Sequence, residues 1–287
     1  MASGLVLIDK PAGITSFDVV AKLRKILNTR KIGHAGTLDP MATGLMILGV
    51  NQGTKLLQFL IGMDKQYVAT IRLGAATVSD DSQGEVVSSA DASAITAAAI
   101  DAEIKKLTGE ILQLPSSVSA KKIDGKRAYD LVREGKSVEL KPKAVFISRF
   151  ERTSEPVLVG EALDFDAVVD CASGTYVRAL ARDIGNALGV GGHLTSLRRT
   201  MIGEYRISEA FSLETGLVLT PLSESVLQFA PRFEISAQQA IDVRNGKPLK
   251  LDSEEMRLSL SCGSDLVAIS ELRDGLFRSQ VVFASEQ

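Results

Sequence analysis

The segment from Gly33 to Gly44 reads Gly-His-Ala-Gly-Thr-Leu-Asp-Pro-Met-Ala-Thr-Gly. Glycine at three of twelve positions suits tight turns and close backbone approach, not the interior of a regular helix or strand. Asp39 is the sole acid between Asp18 and Asp64, and His34 lies five residues before it. An Asp-Pro step alone reads as a turn or a helix start. Here the apolar run Leu45-Met46-Ile47-Leu48 follows closely and predicts a buried element that anchors the turn. A lone carboxylate on a glycine-bounded turn predicts a reactive group held out from a rigid scaffold.

The chain of 287 residues suits one large or two modest domains. Apolar residues make up 45% and aromatics 5%, with no Trp, so the expected core is large and aliphatic. No apolar run reaches the roughly 18–20 residues that span a bilayer, and Leu5–Ile8 reads as a strand rather than a signal peptide. Cys171 and Cys262 lack metal-ligand spacing. With His34 and His193 the only histidines, no metal and no cofactor are expected. Reduced thiols point to a cytoplasmic protein.

The formal net charge is −2, but its distribution is uneven. Lys10–Lys31 carries +5 and Lys121–Lys143 carries +4, while Asp80–Glu110 carries −5. Two basic stripes brought to one face would attract phosphates.

Periodicity predicts a strand at Leu5–Ile8, then a helix capped by Thr15 or Ser16. That helix would pack Phe17, Val20, Leu23 and Leu27, joined by Val19 and Ile26. Further expected strands are Gln66–Leu73, Ala144–Phe150, Leu163–Cys171 and Gly203–Ile207. Helices are expected over 93–108, near Ala128–Val132 and after Thr175. From Pro231 the texture changes, with a short helix at Ala237–Ile241. A hairpin turning at Asp274-Gly275 between Leu266–Ile269 and Phe277–Phe283 follows. The predicted division is a catalytic domain at 1–230 and a small, mainly β domain at 231–287.

The pattern G-H-x-G-x-L-D-P-x-A-T-G resembles the catalytic motif of the TruB family of RNA pseudouridine synthases, in which the Asp is essential. The resemblance continues in Leu7-Ile8-Asp9-Lys10-Pro11-x-Gly13, Lys65-Gln66-Tyr67 and Pro115-Ser116-x-Val118-Ser119-Ala120-x-Lys122. It extends through Gly125-x-Arg127-Ala128-Tyr129, Cys171-x-Ser173-Gly174-Thr175-Tyr176-Val177-Arg178 and Leu197-Arg198-Arg199, so that it covers residues 4–205. It implies an α+β fold with a mixed, mostly antiparallel sheet flanked by helices, and a looser PUA-like RNA-binding segment at the C-terminal end.

The implied activity is conversion of uridine to pseudouridine at position 55 in the T-loop of tRNA. It would be performed by a monomer, with no guide RNA, no membrane and no cofactor. Asp39, Tyr67 and Arg178 are the implied catalytic residues. Asp39 would attack C1′, add to C6 or deprotonate C2′, and Arg178 would keep it ionised. Tyr67 would stack on the flipped uracil or help remove the C5 proton. His34 would fill the gap left in the RNA stack. Tyr176 and Leu197 would line the pocket, and Lys10, Lys22 and Lys122 are read as exposed cations able to meet phosphates or brace the scaffold. The rival readings are a guide-dependent H/ACA-type subunit and a non-catalytic tRNA-binding chaperone. The acidic residues Asp252, Glu254, Glu255 and Asp265 count against strong phosphate contact by the last segment.

Overall fold

A computed structural model describes residues 2–116, 122–123, 126–127, 141–214 and 216–285. The chain opens with β1 (Gly4–Lys10), α1 (Ser16–Ile26), β2 (Ile32–His34) and β3 (Thr43–Val50). A 3-10 turn (Asn51–Leu56) leads into α2 (Leu57–Ile61) and β4 (Lys65–Leu73). The short strands β5 (Ala75–Thr77) and β6 (Val86–Ser89) pair with each other, and α3 (Ala97–Lys106) and β7 (Gly109–Gln113) follow. Two two-residue strands, β8 (Lys122–Ile123) and β9 (Lys126–Arg127), form a separate pair. The helix expected near Ala128–Val132 lies outside the described residues.

The chain resumes with β10 (Lys143–Arg152), β11 (Val157–Val159), β12 (Ala162–Cys171), α4 (Val177–Ala187) and β13 (Gly192–Ile202). Then come β14 (Tyr205–Arg206), β15 (Thr220–Pro221) and α5 (Leu222–Ser225). One sheet runs in the order β15-β1-β3-β13-β4-β12-β10-β7, with β2, β11 and β14 paired at its margins. Every pairing in it is antiparallel except β3 with β13, where Arg198 and Arg199 face Thr43 and Gly44. This is the expected mixed, mostly antiparallel sheet flanked by helices.

Local sequence accounts for the elements that frame the site. Thr15 caps α1 through a reciprocal box with Asp18, each satisfying a backbone N–H of the other. The helix buries Ser16, Val19, Val20 and Leu23, but Phe17 and Ile26 point to solvent. The apolar stripe in the sequence is thus wider than the face that packs. Ser16 is buried in place of Phe17, its hydroxyl bonded to both polar backbone groups of Leu38. Strand β3 is buried on both faces, which explains its unbroken apolar run. Val6, Ile8, Met46 and Leu48 pack with α1 and α4 on one side of the sheet. Leu5, Leu7, Leu45 and Ile47 pack on the other.

That other side is covered by the C-terminal segment. The strands β16 (Arg232–Glu234), β17 (Arg257–Cys262), β18 (Asp265–Arg273) and β19 (Leu276–Val282) form a four-stranded sheet with α6 (Ala237–Arg244) beside it. The β18–β19 hairpin turns at Asp274 and Gly275, both at positive φ (53° and 75°), as a two-residue turn of this hand requires. Leu266, Ile269, Val281 and Phe283 join Leu5, Ile47 and Leu60 in one apolar cluster. Lys55 donates to Val282 O at 2.7 Å, and Gln52 bonds Ala284 through both its amide groups. The small sheet is therefore packed firmly against the large one.

Gly44, the second residue of β3, sits at φ 105°, and a Cβ there would overlap the Arg199 backbone. Only glycine permits the β3–β13 contact at that point. Gly44→Ala is expected to lower stability by at least about 2 kcal/mol, from backbone strain and overlap together. Urea unfolding measures this, and a wild-type midpoint would contradict it.

Candidate active site

Side chains on a strand alternate between faces. Lys65 and Tyr67 on β4 therefore point the same way, and Leu197 and Arg199 on β13 share a face. The register sets Tyr67 opposite Arg199 and Val169, and Lys65 opposite Cys171. Bulges in β13 at Thr195 and Thr200 re-aim the strand on either side of Leu197–Arg199. Lys65, Tyr67, Cys171, Leu197 and Arg199 line one cavity of about 400 Å³, within the range of small-molecule sites, with Asp39, Tyr176 and Arg178 around it.

Asp39 is carried on the loop between β2 and β3. Leu38, Ala35 and Ala42 are buried and anchor the loop. Gly36 adopts φ 99°, and its carbonyl accepts a hydrogen bond from Arg199 Nη2 at 3.1 Å, while Arg199 Nε donates to Leu45 O at 2.7 Å. Arg199 is buried and pins both ends of the loop to the sheet. Asp39 itself stays partly accessible, its side chain 32% exposed.

Arg178 enters from the first turn of α4. Its Nε lies 3.0 Å from Asp39 Oδ2, and its Nη1 donates to Ser79 O at 2.7 Å and to Asp81 Oδ2 at 3.3 Å. Asp81 is buried and accepts further bonds from Ser79 Oγ at 2.6 Å and Gln83 N–H at 3.0 Å. One buried guanidinium thus faces two carboxylates, with Asp81 fixed from behind and Asp39 open to the cavity. Next to it, Arg182 pairs with Asp80 at 3.2 Å, and burial pushes the Asp80 carboxyl above its ordinary range. The only sequence signal at Asp80 and Asp81 is the acidic balance of Asp80–Glu110, which gives no hint of Arg178.

Tyr67 is buried, and burial raises its phenol pKa against the opposing pull of Arg199. Leu197 and Tyr176 line the cavity. His34 sits on β2, half-buried and not among the residues lining the cavity. Burial, followed by the nearby Arg199 charge, lowers its pKa, so the ring favours its neutral form.

The three lysines differ. Lys22 is exposed on α1. Lys122 falls in β8, and its side chain is outside the described residues. Lys10 departs from the expectation of an exposed cation: it has no accessible surface, and its ammonium donates to Ile14 O (2.7 Å), Pro11 O (3.0 Å) and Pro40 O (3.3 Å). Those three carbonyls match its three donors, which is what permits its burial. It therefore braces the residue after Asp39 and cannot reach a phosphate. Lys65, also buried, donates to Met63 O and Ile61 O.

The family model for TruB family pseudouridylate synthase (N terminal domain) matches residues 24–177. The model for the tRNA pseudouridylate synthase B C-terminal domain matches residues 178–217. The chain is 51% identical over 251 residues to tRNA pseudouridine synthase B of Arthrobacter sp. strain FB24, covering 86% of this chain and 82% of that protein. It is 47% identical over 298 residues to tRNA pseudouridine synthase B of Leifsonia xyli subsp. xyli, covering 100% and 98%. Among solved structures, a chain in an H/ACA RNP bound to a substrate RNA containing 2′-deoxyuridine shares the fold. The TM-score is 0.69 at 23% identity, over 98% of this chain and 85% of that one.

Burial holds Lys10 at about 8, against 10.5 for an ordinary lysine, with Asp39 opposing the shift. Between those two values the unfolded chain binds the extra proton, so stability rises with pH. Below pH 8 both states are protonated and the burial penalty is fully present. Removing this lysine removes its share of the slope. Urea midpoints from pH 8 to 10 should therefore rise less steeply in Lys10→Met than in the wild type, and parallel slopes would contradict the assignment.

Proposed function

This chain belongs to the TruB family of pseudouridylate synthases, and on that premise we propose that it isomerises uridine to pseudouridine in tRNA, at position 55 of the T-loop. The observation that carries this reading is the 3.0 Å contact between Asp39 and Arg178 in the lining of a cavity large enough for a base.

The reaction breaks the N1–C1′ bond, turns the uracil and joins C5 to C1′. The C5 proton is lost and N1 gains one, so no electrons enter or leave. A stacked uridine cannot reach Asp39, so the nucleotide must be extruded at a cost of a few kcal/mol, offset by contacts elsewhere on the RNA. Asp39 acts as the anionic nucleophile or base, by attack at C1′, addition at C6 or proton removal from C2′. Arg178 keeps its charge and aim. Leu197 and the Tyr67 ring form the apolar walls against which the base stacks. Because burial holds the Tyr67 hydroxyl in its protonated form, its role in C5 proton loss is as a hydrogen-bonding relay rather than a standing phenolate.

His34 occupies the space vacated in the T-loop, a role that a neutral, flat ring suits. Lys22 and Lys122 meet phosphates, while Lys10 braces the catalytic loop. The segment 231–287 acts as a PUA-like module touching the RNA beyond the loop. The protein works as a monomer in the cytoplasm and needs no guide RNA. No described helix is long and apolar enough to cross a membrane. A guide-independent reading is favoured by the curated relatives, whose names specify tRNA.

Tritium release from tRNA labelled at uridine C5 tests the reading. Wild type should release it without a guide RNA. Asp39→Asn should release none while still binding tRNA, and Tyr67→Phe should lose turnover far more than affinity. No release by the wild type from any tRNA would remove the enzyme reading. Turnover by Asp39→Asn would remove the role given to Asp39.

A further inference from the structure

Two side chains outside the assigned site hold the backbone on either side of the ion pair. Ser16 is the first residue of α1. Its hydroxyl accepts the Leu38 N–H at 2.8 Å and donates to the Leu38 carbonyl at 3.0 Å. Leu38 immediately precedes Asp39. The hydroxyl is free for this task because Thr15, not Ser16, caps the helix. Gln113 is the last residue of β7. Its Oε1 accepts the Tyr176 N–H at 2.8 Å and its Nε2 donates to the Tyr176 carbonyl at 3.0 Å. Tyr176 is two residues before Arg178 and precedes the first turn of α4, where it provides no side-chain cap.

The two contacts have the same form. In each, one side chain uses a donor and an acceptor on both polar groups of a single residue, which fixes that residue's orientation as well as its place. Ser16 is 3% exposed and Gln113 is 1% exposed, so neither can touch RNA. Asp39 and Arg178 come from segments 139 positions apart in the chain, and their separation is set by where Leu38 and Tyr176 are held. We propose that Ser16 and Gln113 are positioning residues that set the Asp39–Arg178 geometry for pseudouridine formation. The inference rests on the reading of the site given above.

Loss of Ser16 removes these partners from both polar backbone groups of Leu38, and loss of Gln113 removes the partner of the Tyr176 N–H while the Tyr176 carbonyl keeps the Ala179 N–H at 3.1 Å, so each segment relaxes to find new partners. A shift of about 1 Å at a catalytic group costs on the order of 10²-fold in rate. The test is single-turnover pseudouridine formation on tRNA, with tRNA affinity from filter binding, for Ser16→Ala, Ser16→Thr, Gln113→Leu and the Ser16→Ala/Gln113→Leu double variant. Ser16→Ala and Gln113→Leu should each slow the reaction about 10- to 100-fold with affinity within about twofold of wild type. Ser16→Thr, which keeps the hydroxyl, should recover most of the rate. The double variant should lose less than the product of the single losses, because both act through one ion pair.

Wild-type rates in the folded single variants would overturn the proposal. So would rate and affinity falling together, Ser16→Thr as slow as Ser16→Ala, or losses that multiply. If Ser16→Ala does not fold, Ser16→Cys replaces it on the same criteria. A wild type inactive on every tRNA would overturn the reading of the site itself, whereas an active wild type with unaffected variants overturns this inference alone.

Discussion

A guanidinium held in the interior at Arg178, facing one fixed carboxylate and one accessible one, is the constraint on which the site depends. Burying an arginine is costly unless its charge and donors are matched. Asp81 and the Ser79 carbonyl supply that match from the protein side. Asp39 then approaches the remaining edge of the guanidinium while keeping a third of its side chain open to the cavity. A carboxylate meant to react must be ionised, aimed and reachable at once. Burial alone would neutralise it, and full exposure would leave it unaimed. The arginine aims it across 3.0 Å, and the glycine-bounded loop leaves it reachable.

The rest of the scaffold holds the two partners at this distance. Arg199 fastens the loop at Gly36 and Leu45, Lys10 fastens it at Pro40, and β3 carries it into the centre of the large sheet. On the other side, α4 begins where β12 ends, so Arg178 issues from a helix seated on the same sheet. Both lysines that line or brace the site, Lys10 and Lys65, are held near 8 by burial. They are structural cations whose ammonium donors are committed to backbone carbonyls.

Much of this was legible in the sequence, and what was missed has a common physical cause. Period and turn chemistry located β1, β4, β12 and the Asp274-Gly275 hairpin, because these signals are local. The strand β10 was also anticipated, whereas the three-residue β11 between it and β12 was not. The closeness of Asp39 and Arg178 came from the family resemblance, since no local signal joins residues so far apart. The contacts of Asp81, Ser16 and Gln113 escaped notice because each is tertiary, and a polar side chain in the sequence does not announce its partner. Lys10 was misread for the opposite reason: lysines are mostly exposed, and only the convergence of three carbonyls makes this one an exception. In α1, Phe17 and Ile26 extended the apolar stripe beyond the packed face, so the stripe overstated what the sheet covers.

The central claim is that the planar guanidinium of Arg178, and not positive charge alone, aims Asp39. Arg178→Lys keeps the charge but cannot reach Asp39, Asp81 and the Ser79 carbonyl together. The measurement is its single-turnover rate of pseudouridine formation beside its tRNA affinity. The account predicts a rate at least about 100-fold below wild type with affinity nearly unchanged. A lysine variant turning over at the wild-type rate would contradict it.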